Sequence, residues 1–302
     1  VLKQLSDEEL EIAASSSYAY WWMKQQQHHD SMISSYRNTM AMKECQRHYI
    51  GEKGNYTKIL SAIKEAIGYR LEYDIDSIRR CSSLKTLHHE LKEMIIDELG
   101  NKQEMVVRGH GKQRHAILYK QPRTVPPEET NERAYIMANL YIAERALAAT
   151  EYLSCGEEEK LIAIFNFDNY SRSNSPPHHL HSLFTKLLQR TYPERLKKFV
   201  VLDAPLWMRL GFKVISPFLA AETREKINFV GGAEKKKQGG SSSLFGELVH
   251  PSQATPYLMD GGKLSSEVDA RHFVLNVPFH RLYDDDDDCI ADDCIADDPS
   301  SS

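Results

Sequence analysis

Cysteine is scarce in this chain: five in 302 residues, at positions 45, 81, 155, 289 and 294, odd in number and nowhere spaced Cys-x-x-Cys. That usage argues against a disulfide framework and for reduced thiols in a cytosolic compartment. No apolar run approaches the ~20 residues of a spanning helix, so the expectation is a protein that is soluble or peripheral to a membrane. Signatures of catalysis are missing too. There is no Gly-x-x-x-x-Gly-Lys-Ser/Thr loop, no Gly-x-Gly-x-x-Gly turn after a strand, no His-Glu-x-x-His and no Gly-x-Ser-x-Gly elbow. Nothing nominates a nucleophile, and no catalytic residue is assigned. His28-His29, His88-His89 and His178-His179-x-His181 invite a metal reading, but adjacent histidines diverge on a helix and no thiolate or carboxylate set completes a site. They are expected to be surface histidines, with no metal bound. A basic stripe interleaved with aromatics is also lacking, which disfavours nucleic acid.

What is present is a division of charge. The net charge is −5, yet from Asp284 onward there are nine aspartates and no Lys or Arg, leaving 38 basic against 34 acidic side chains in residues 1–283. A mildly basic body is drawn to an anionic membrane surface at about 1 kcal/mol per Lys or Arg close to it. The tail, residues 284–302, repeats Cys-Ile-Ala-Asp-Asp in succession and is expected to be disordered, because repelling carboxylates with little apolar content do not form a core. It is first a solubilising segment, with a basic protein partner as the alternative. The chain begins at Val1 rather than Met, so a targeting segment and an organelle are not judged from it.

Periodicity divides the rest into an N-terminal helical part and an α/β part. Ser6-Asp7-Glu8-Glu9 is a capping-box pattern, and Tyr56, Ile59, Leu60, Ile63 and Ile67 form a helical stripe ending near Gly68. His115–Tyr119, Leu161–Phe167, Phe199–Leu202 and Ile227–Val230 read as strands. Helical patterns over Thr130–Leu153 and Pro177–Thr191 separate the first three, which predicts parallel pairs joined by helical crossovers. Gly231–Ser243, around Lys235, Lys236 and Lys237, reads as a mobile loop.

The segment from Tyr192 to Val230 is the most informative. Phe199–Leu202 is an unbroken apolar run, the pattern of a strand buried on both faces, closed by Asp203-Ala204-Pro205. From Leu206 to Ser216 the only polar side chains are Arg209, Lys213 and Ser216, a narrow stripe on a cylinder expected to be surrounded by apolar groups. Ser216-Pro217 restarts the chain at a new angle, and Thr223 can cap the turn before Lys226.

In this segment Tyr-Pro-Glu-Arg-Leu precedes a strand and Ala-Pro follows it; Pro-Phe-Leu and Thr-x-x-Lys-Ile come next. In order and spacing it resembles the CRAL-TRIO lipid-binding family, including the secretory-pathway phosphatidylinositol/phosphatidylcholine transfer proteins. Gly109-His110-Gly111 through Tyr119 is similar to the family's turn into its first sheet strand, and Leu248 through Gly262 to its closing segment. The resemblance implies an α/β fold: an N-terminal helical module over 1–100, then a CRAL-TRIO sheet flanked by helices over 101–270, enclosing a lipid cavity. It implies headgroup contacts at Glu194, Thr223 and Lys226, and a cavity wall and gate at Trp207, Leu210, Phe212, Val214, Ile215 and Phe218, with Gly211 and Ser216-Pro217 as places to flex. The alternative for those apolar residues is an ordinary core.

Departures from the family pattern narrow the expectation. Ala163 and Phe165 stand where dual-specificity members carry hydroxyls for the phosphocholine phosphate, putting phosphatidylcholine in doubt. The basic residue of the N-terminal module falls on Arg47 or Lys53, in what reads as a lengthened loop. The expected function is non-catalytic binding and transfer or presentation of a phosphatidylinositol-type phospholipid, by a cytoplasmic protein that visits membranes. No cofactor is expected beyond the bound phospholipid. A carrier of a tocopherol, retinoid or sterol-like ligand and a protein adaptor are the alternatives.

Overall fold

The computed structural model describes residues 1–26, 30–81, 89–122, 131–215, 221–231, 240–259 and 261–284, with backbone alone at 30–32, 178, 181, 214, 215, 221–223 and 240–243. The N-terminal part is helical: α1 (Asp7–Ala14), α2 (Tyr18–Gln25), α3 (Asp30–Gly51), α4 (Tyr56–Glu72), α5 (Ile75–Arg80) and α6 (His89–Ile96), ending in a π turn over Asp97–Lys102. The capping box forms as its sequence requires, Ser6 Oγ accepting from Glu9 N while Glu9 accepts from Ser6 N. On α4, Ile59, Ile63 and Ile67 are buried, but Tyr56 is exposed and the helix runs past Gly68 to Glu72. Arg70, buried on the next turn, continues the inward face and outweighs the ~1 kcal/mol that a helical glycine costs.

A five-stranded sheet follows, in the order β1 (Glu104–His110), β2 (Ala116–Gln121), β3 (Leu161–Asn166), β4 (Leu196–Leu202), β5 (Ile227–Val230). The first pair is antiparallel and the others parallel. α7 (Glu132–Leu153) joins β2 to β3, and α8 (His178–Thr191) joins β3 to β4. α9 (Leu206–Ile215) and α10 (Ala221–Lys226) lie between β4 and β5, and α11 (Gly240–Leu248) and α12 (Ala270–Leu275) follow. Helical crossovers between parallel strands are thus where the pattern put them. β1 is additional: the glycine-containing turn joins it to β2, so the strand expected to be first in the sheet is second. Gly109 has φ +62, and a Cβ there would stand 2.2 Å from the Gln253 carbonyl oxygen, so only glycine fits.

The sheet has two differently dressed faces. Ile117, Ile162, Ile164, Val200, Leu202 and Val230 pack under Phe245, Val249, Leu258 and Met259. On the other face Leu118, Ala163, Phe165 and Phe199 adjoin the larger core built by α7, which is buried along almost its whole length. That core continues into the N-terminal helices through Tyr18, Trp21, Ile75, Ile78, Ile95 and Leu99.

Buried charges fasten the two parts together. Glu144 of α7 is fully enclosed and accepts from Arg70 Nη1 (3.0 Å), Arg79 Nε (2.9 Å) and Tyr192 OH (2.6 Å). Burial alone would raise its pKa, but the Arg79 and Arg70 charges outweigh that and hold it below the usual carboxylate range. A second cluster joins Arg47 to Glu44, Glu159 and Ser16, and Arg195 to Glu151 and the Ser16 carbonyl. Cys45 and Cys81 are buried free thiols, whereas Cys155 is disulfide-bonded, against the expectation that all five are reduced.

Residues 270–284 form a strap along the body. Arg145, fully buried and without a carboxylate partner among the described residues, donates to the carbonyls of Phe273 (2.8 Å), Val277 (2.8 Å) and Pro278 (3.0 Å) and lies 3.8 Å over the Phe273 ring. Tyr283 N donates to Val107 O (2.9 Å), and Arg108 is paired with Asp284. Asp284, assigned to the acidic tail on sequence, is therefore held by the body; residues 285–302 and Lys235, Lys236 and Lys237 lie outside the described residues.

Within the strap, His280 Nδ1 lies 3.3 Å from Tyr18 OH, and its ring is 4.6 Å from that of Tyr152. Burial, then the charges of Arg281 and Arg145, push its pKa down from 6.5 to about 4. The unfolded chain takes up this proton first, so stability present above pH 6.5 is lost as pH falls toward 4, by about 1.4 kcal/mol per pH unit. His280→Phe should shrink the drop in unfolding midpoint between pH 7 and pH 5; an unchanged drop refutes this assignment.

Candidate functional site

Glu194 and Lys226, expected to act together on a headgroup, are brought together. Glu194 stands two residues before β4 and Lys226 directly before β5. These strands are parallel neighbours and start at the same edge of the sheet, β5 beginning opposite Phe199, three residues into β4, and Lys226 Nζ reaches back to donate to Glu194 Oε2 at 3.0 Å. Lys160, just before β3, approaches the same oxygen at 3.9 Å, and Lys198 donates to the Glu225 carbonyl at 3.2 Å. Both partners of the central pair keep about a fifth to a quarter of their side chains exposed, so an incoming anion or polyol can reach them.

The backbone at this corner is constrained. Glu194 has φ +57, an uncommon conformation for a residue with a Cβ, costing on the order of 1–3 kcal/mol. It is imposed by the next residue, since Arg195 is buried and bonded to the Glu159 and Ser16 carbonyls at 3.1 and 3.2 Å. The end of α3 also adjoins the corner: a Cβ on Gly51 would meet Pro193 Cβ at 3.5 Å. Of the two N-terminal basic candidates, Arg47 lies on α3 rather than in a loop and is committed to its buried carboxylates. Lys53 lies in the turn that follows α3, with φ +51.

An apolar floor extends from this corner along the α7 side of the sheet. Ladder pairs place Ala163 beside Phe199, Phe199 beside Ile227, Phe165 beside Val201 and Val201 beside Phe229. Phe165 and Phe199 meet edge to face at 4.8 Å. Both, with Ile227 and Phe229, are only half-buried. Buried Lys120 donates to Asn139 Oδ1 at 2.7 Å with its ammonium 5.5 Å from the Phe165 ring.

α9 lies over the floor's β5 edge with its polarity inverted relative to the expectation. Arg209 turns inward: its Nε donates to the Ala204 carbonyl at 3.2 Å, and a Cβ on Gly231 would strike its guanidinium at 2.1 Å. Phe212, one turn on, meets Phe229 at 4.9 Å. Consequently Leu206, Trp207 and Leu210 on the opposite face are 72%, 41% and 52% exposed. The helix is not enclosed by apolar groups; it presents them to solvent. Trp207 is partly stacked on Tyr170 at 6.3 Å. Val214 and Ile215 end α9 and Thr223 falls within α10, but their side chains, and all of Phe218, lie outside the described residues.

Sequence reasoning missed a cavity on the other face of the sheet, about 290 Å³ in volume, lined by Glu104, Arg108, Tyr119, Asn166, Asp168 and Tyr257 among others. Two of its lining residues, Glu104 and Arg108, come from β1, whose apolar run Met105-Val106-Val107 was the available signal. Among the described residues no group of three or more His, Cys, Asp or Glu is arranged to hold a metal ion, and no helix is long and apolar enough to cross a membrane. His179 is exposed and pairs with Glu132.

Comparison with known proteins adds what part of the chain is similar to. Residues 101–246 match the model of the CRAL/TRIO domain. Patellin-5 of Arabidopsis thaliana is 24% identical over 157 residues, 47% of this chain and 23% of the relative. Tyrosine-protein phosphatase non-receptor type 9 of Homo sapiens is 27% identical over 110 residues, 36% of this chain and 17% of the relative. The matched region thus spans less than a quarter of the length of either relative. Among solved structures, that of Sfh5 is similar with a TM-score of 0.48 at 14% identity, covering 65% of this chain and 67% of that chain.

Proposed function

We propose, from the premise that residues 101–246 form a CRAL/TRIO domain, that this protein binds a phosphatidylinositol-type phospholipid and transfers or presents it between membranes, without catalysis. The observation that carries the reading is the Glu194–Lys226 pair, solvent-accessible at the start of a half-open aromatic floor. A lysine neutralises a phosphodiester, and a carboxylate accepts from inositol hydroxyls, so an inositol phosphate can replace each partner's bond to the other. The floor takes the acyl chains: at ~0.8 kcal/mol per methylene, enclosing one long chain is worth on the order of 10 kcal/mol. The exposed face of α9 then meets the bilayer, with Lys213 turned toward anionic headgroups. The protein works at a cytoplasmic membrane surface, and the acidic tail is left for a basic partner.

Lys226→Ala should abolish vesicle-to-vesicle transfer of labelled phosphatidylinositol while leaving the thermal unfolding curve in place, because its pairing is partly exposed and the enclosed core is untouched. Unchanged transfer sinks the headgroup assignment. A second reading, a wholly apolar ligand such as a tocopherol or sterol, draws on Ala163 and Phe165, which put methyl and phenyl groups on the floor. Both readings expect weak phosphatidylcholine transfer. Native mass spectrometry after lipid extraction separates them, and a protein that never carries lipid is an adaptor.

A further inference from the structure

The cavity between β1–β3 and the 253–266 segment plays no part in the lipid reading, since it lies on the face of the sheet away from Phe165 and Phe199. Its lining carries an imbalance of charge. Arg108 is the one cation among the lining residues, and its Nε and Nη2 both donate to the Asp284 carboxylate. Glu104 and Asp168 remain. Glu104 accepts no hydrogen bond among the described residues; burial pushes its pKa up while the nearby Arg108 charge opposes the rise. Asp168 is exposed at the mouth and, among the described residues, accepts only from its neighbour Asn169, at 3.1 Å.

We propose that this cavity binds a small organic cation of the polyamine class, one ammonium group on Glu104 and another on Asp168. The register fixes the spacing. Glu104 pairs with Gln121, and Lys120 pairs with Phe165, so Glu104, Gln121 and Asn166 lie nearly abreast on three adjacent strands. At ~4.8 Å per strand Glu104 and Asn166 are about 10 Å apart, and Asp168 follows Asn166 by two residues, so the two carboxylates stand a little further apart than that, within the reach of a linear triamine. Between them the lining turns neutral and partly apolar, through Ile117, Leu258 and Leu264, which suits methylene segments. Tyr119 and Tyr257 are held in place by Asn166, whose amide donates to the first at 3.1 Å and accepts from the second at 3.1 Å, so the middle of the site is built before a ligand arrives. A volume of about 290 Å³ suits a metabolite and is small for a two-chain phospholipid. An anionic ligand would face two carboxylates and one cation already paired.

The test is isothermal titration of the full chain with spermidine and, separately, with inorganic phosphate at physiological ionic strength. Spermidine should bind and phosphate should not. Glu104→Gln and Asp168→Asn should each weaken spermidine about tenfold or more, the loss of one charge-assisted hydrogen bond. Ser266→Trp, at an exposed lining position, should weaken it similarly by filling the mouth without altering charge. Thermal melts confirm that each variant is folded. The proposal is overturned if the parent does not bind spermidine, if phosphate binds in its place, or if all three folded variants bind as the parent does, which would put the polyamine on the aspartate-rich tail.

Discussion

Glu144→Gln is expected to be among the most damaging single substitutions in the chain. The side chain stays nearly the same shape, so packing is preserved and only the charge is removed. Arg70 and Arg79 are then left buried facing a neutral amide, and the Tyr192 hydroxyl loses a charged acceptor. Removing one member of a buried ionic cluster costs roughly 3–5 kcal/mol, because the remaining charges stay desolvated without compensation. At the ~2–4 °C per kcal/mol usual for chains of 150–250 residues, the unfolding midpoint should fall by about 10 °C. The matched control is Glu93→Gln, which breaks an ion pair with Arg271 at the surface and should move the midpoint hardly at all. A Glu144→Gln midpoint within a degree or two of the parent would show that the cluster only decorates the junction between α4, α5 and α7.

That junction also marks where sequence reading stops. The capping box, the strand and helix alternation and the strand Ile227–Val230 follow from local rules: a hydroxyl three residues before a glutamate, or a period of 3.6 changing to a short apolar run. Glu194 and Lys226 could be nominated as a pair because two motifs named them; that they touch follows from β4 and β5 being parallel neighbours, which no local pattern states. The buried clusters around Glu144 and Arg47 were illegible for a related reason. Charged residues on amphipathic helices read as solvent-facing, and only tertiary contacts separated by 31 to 112 positions turn Arg47 and Arg70 inward. The edge strand β1 was missed because Glu104, Arg108 and His110 interrupt its apolar run, as befits a strand whose polar side chains line a cavity rather than a core.

The error over α9 is the most instructive, because it decides the other large expected effect. Three polar residues, Arg209, Lys213 and Ser216, in one narrow stripe on an apolar helix suggested a cylinder with apolar surroundings on most of its circumference. The observed helix is not so enclosed: Arg209 and Phe212 grip β5 and Gly231, and Leu206, Trp207 and Leu210 face water. An exposed apolar stripe of this kind needs a partner, and a bilayer is the partner that the lipid-carrier reading supplies. Leu210→Asp is then a clean probe. The side chain is half exposed, so the fold and its unfolding midpoint should be unaffected. Inserting leucine into lipid is worth about 1.5–3 kcal/mol, and an aspartate forfeits this and adds repulsion from anionic headgroups, so vesicle association and phosphatidylinositol exchange should fall by tenfold to a hundredfold or more. Phe212→Asp should block exchange as well but also lower the midpoint, because Phe212 packs on Phe229 in the closed state. Lys213→Ala should cause only a modest loss of association that vanishes at high salt. The three variants separate membrane contact from stability and from charge attraction; if folded Leu210→Asp binds vesicles and exchanges lipid at the parent's rate, α9 is not the element that meets the membrane, and the lipid must enter by another edge of the floor.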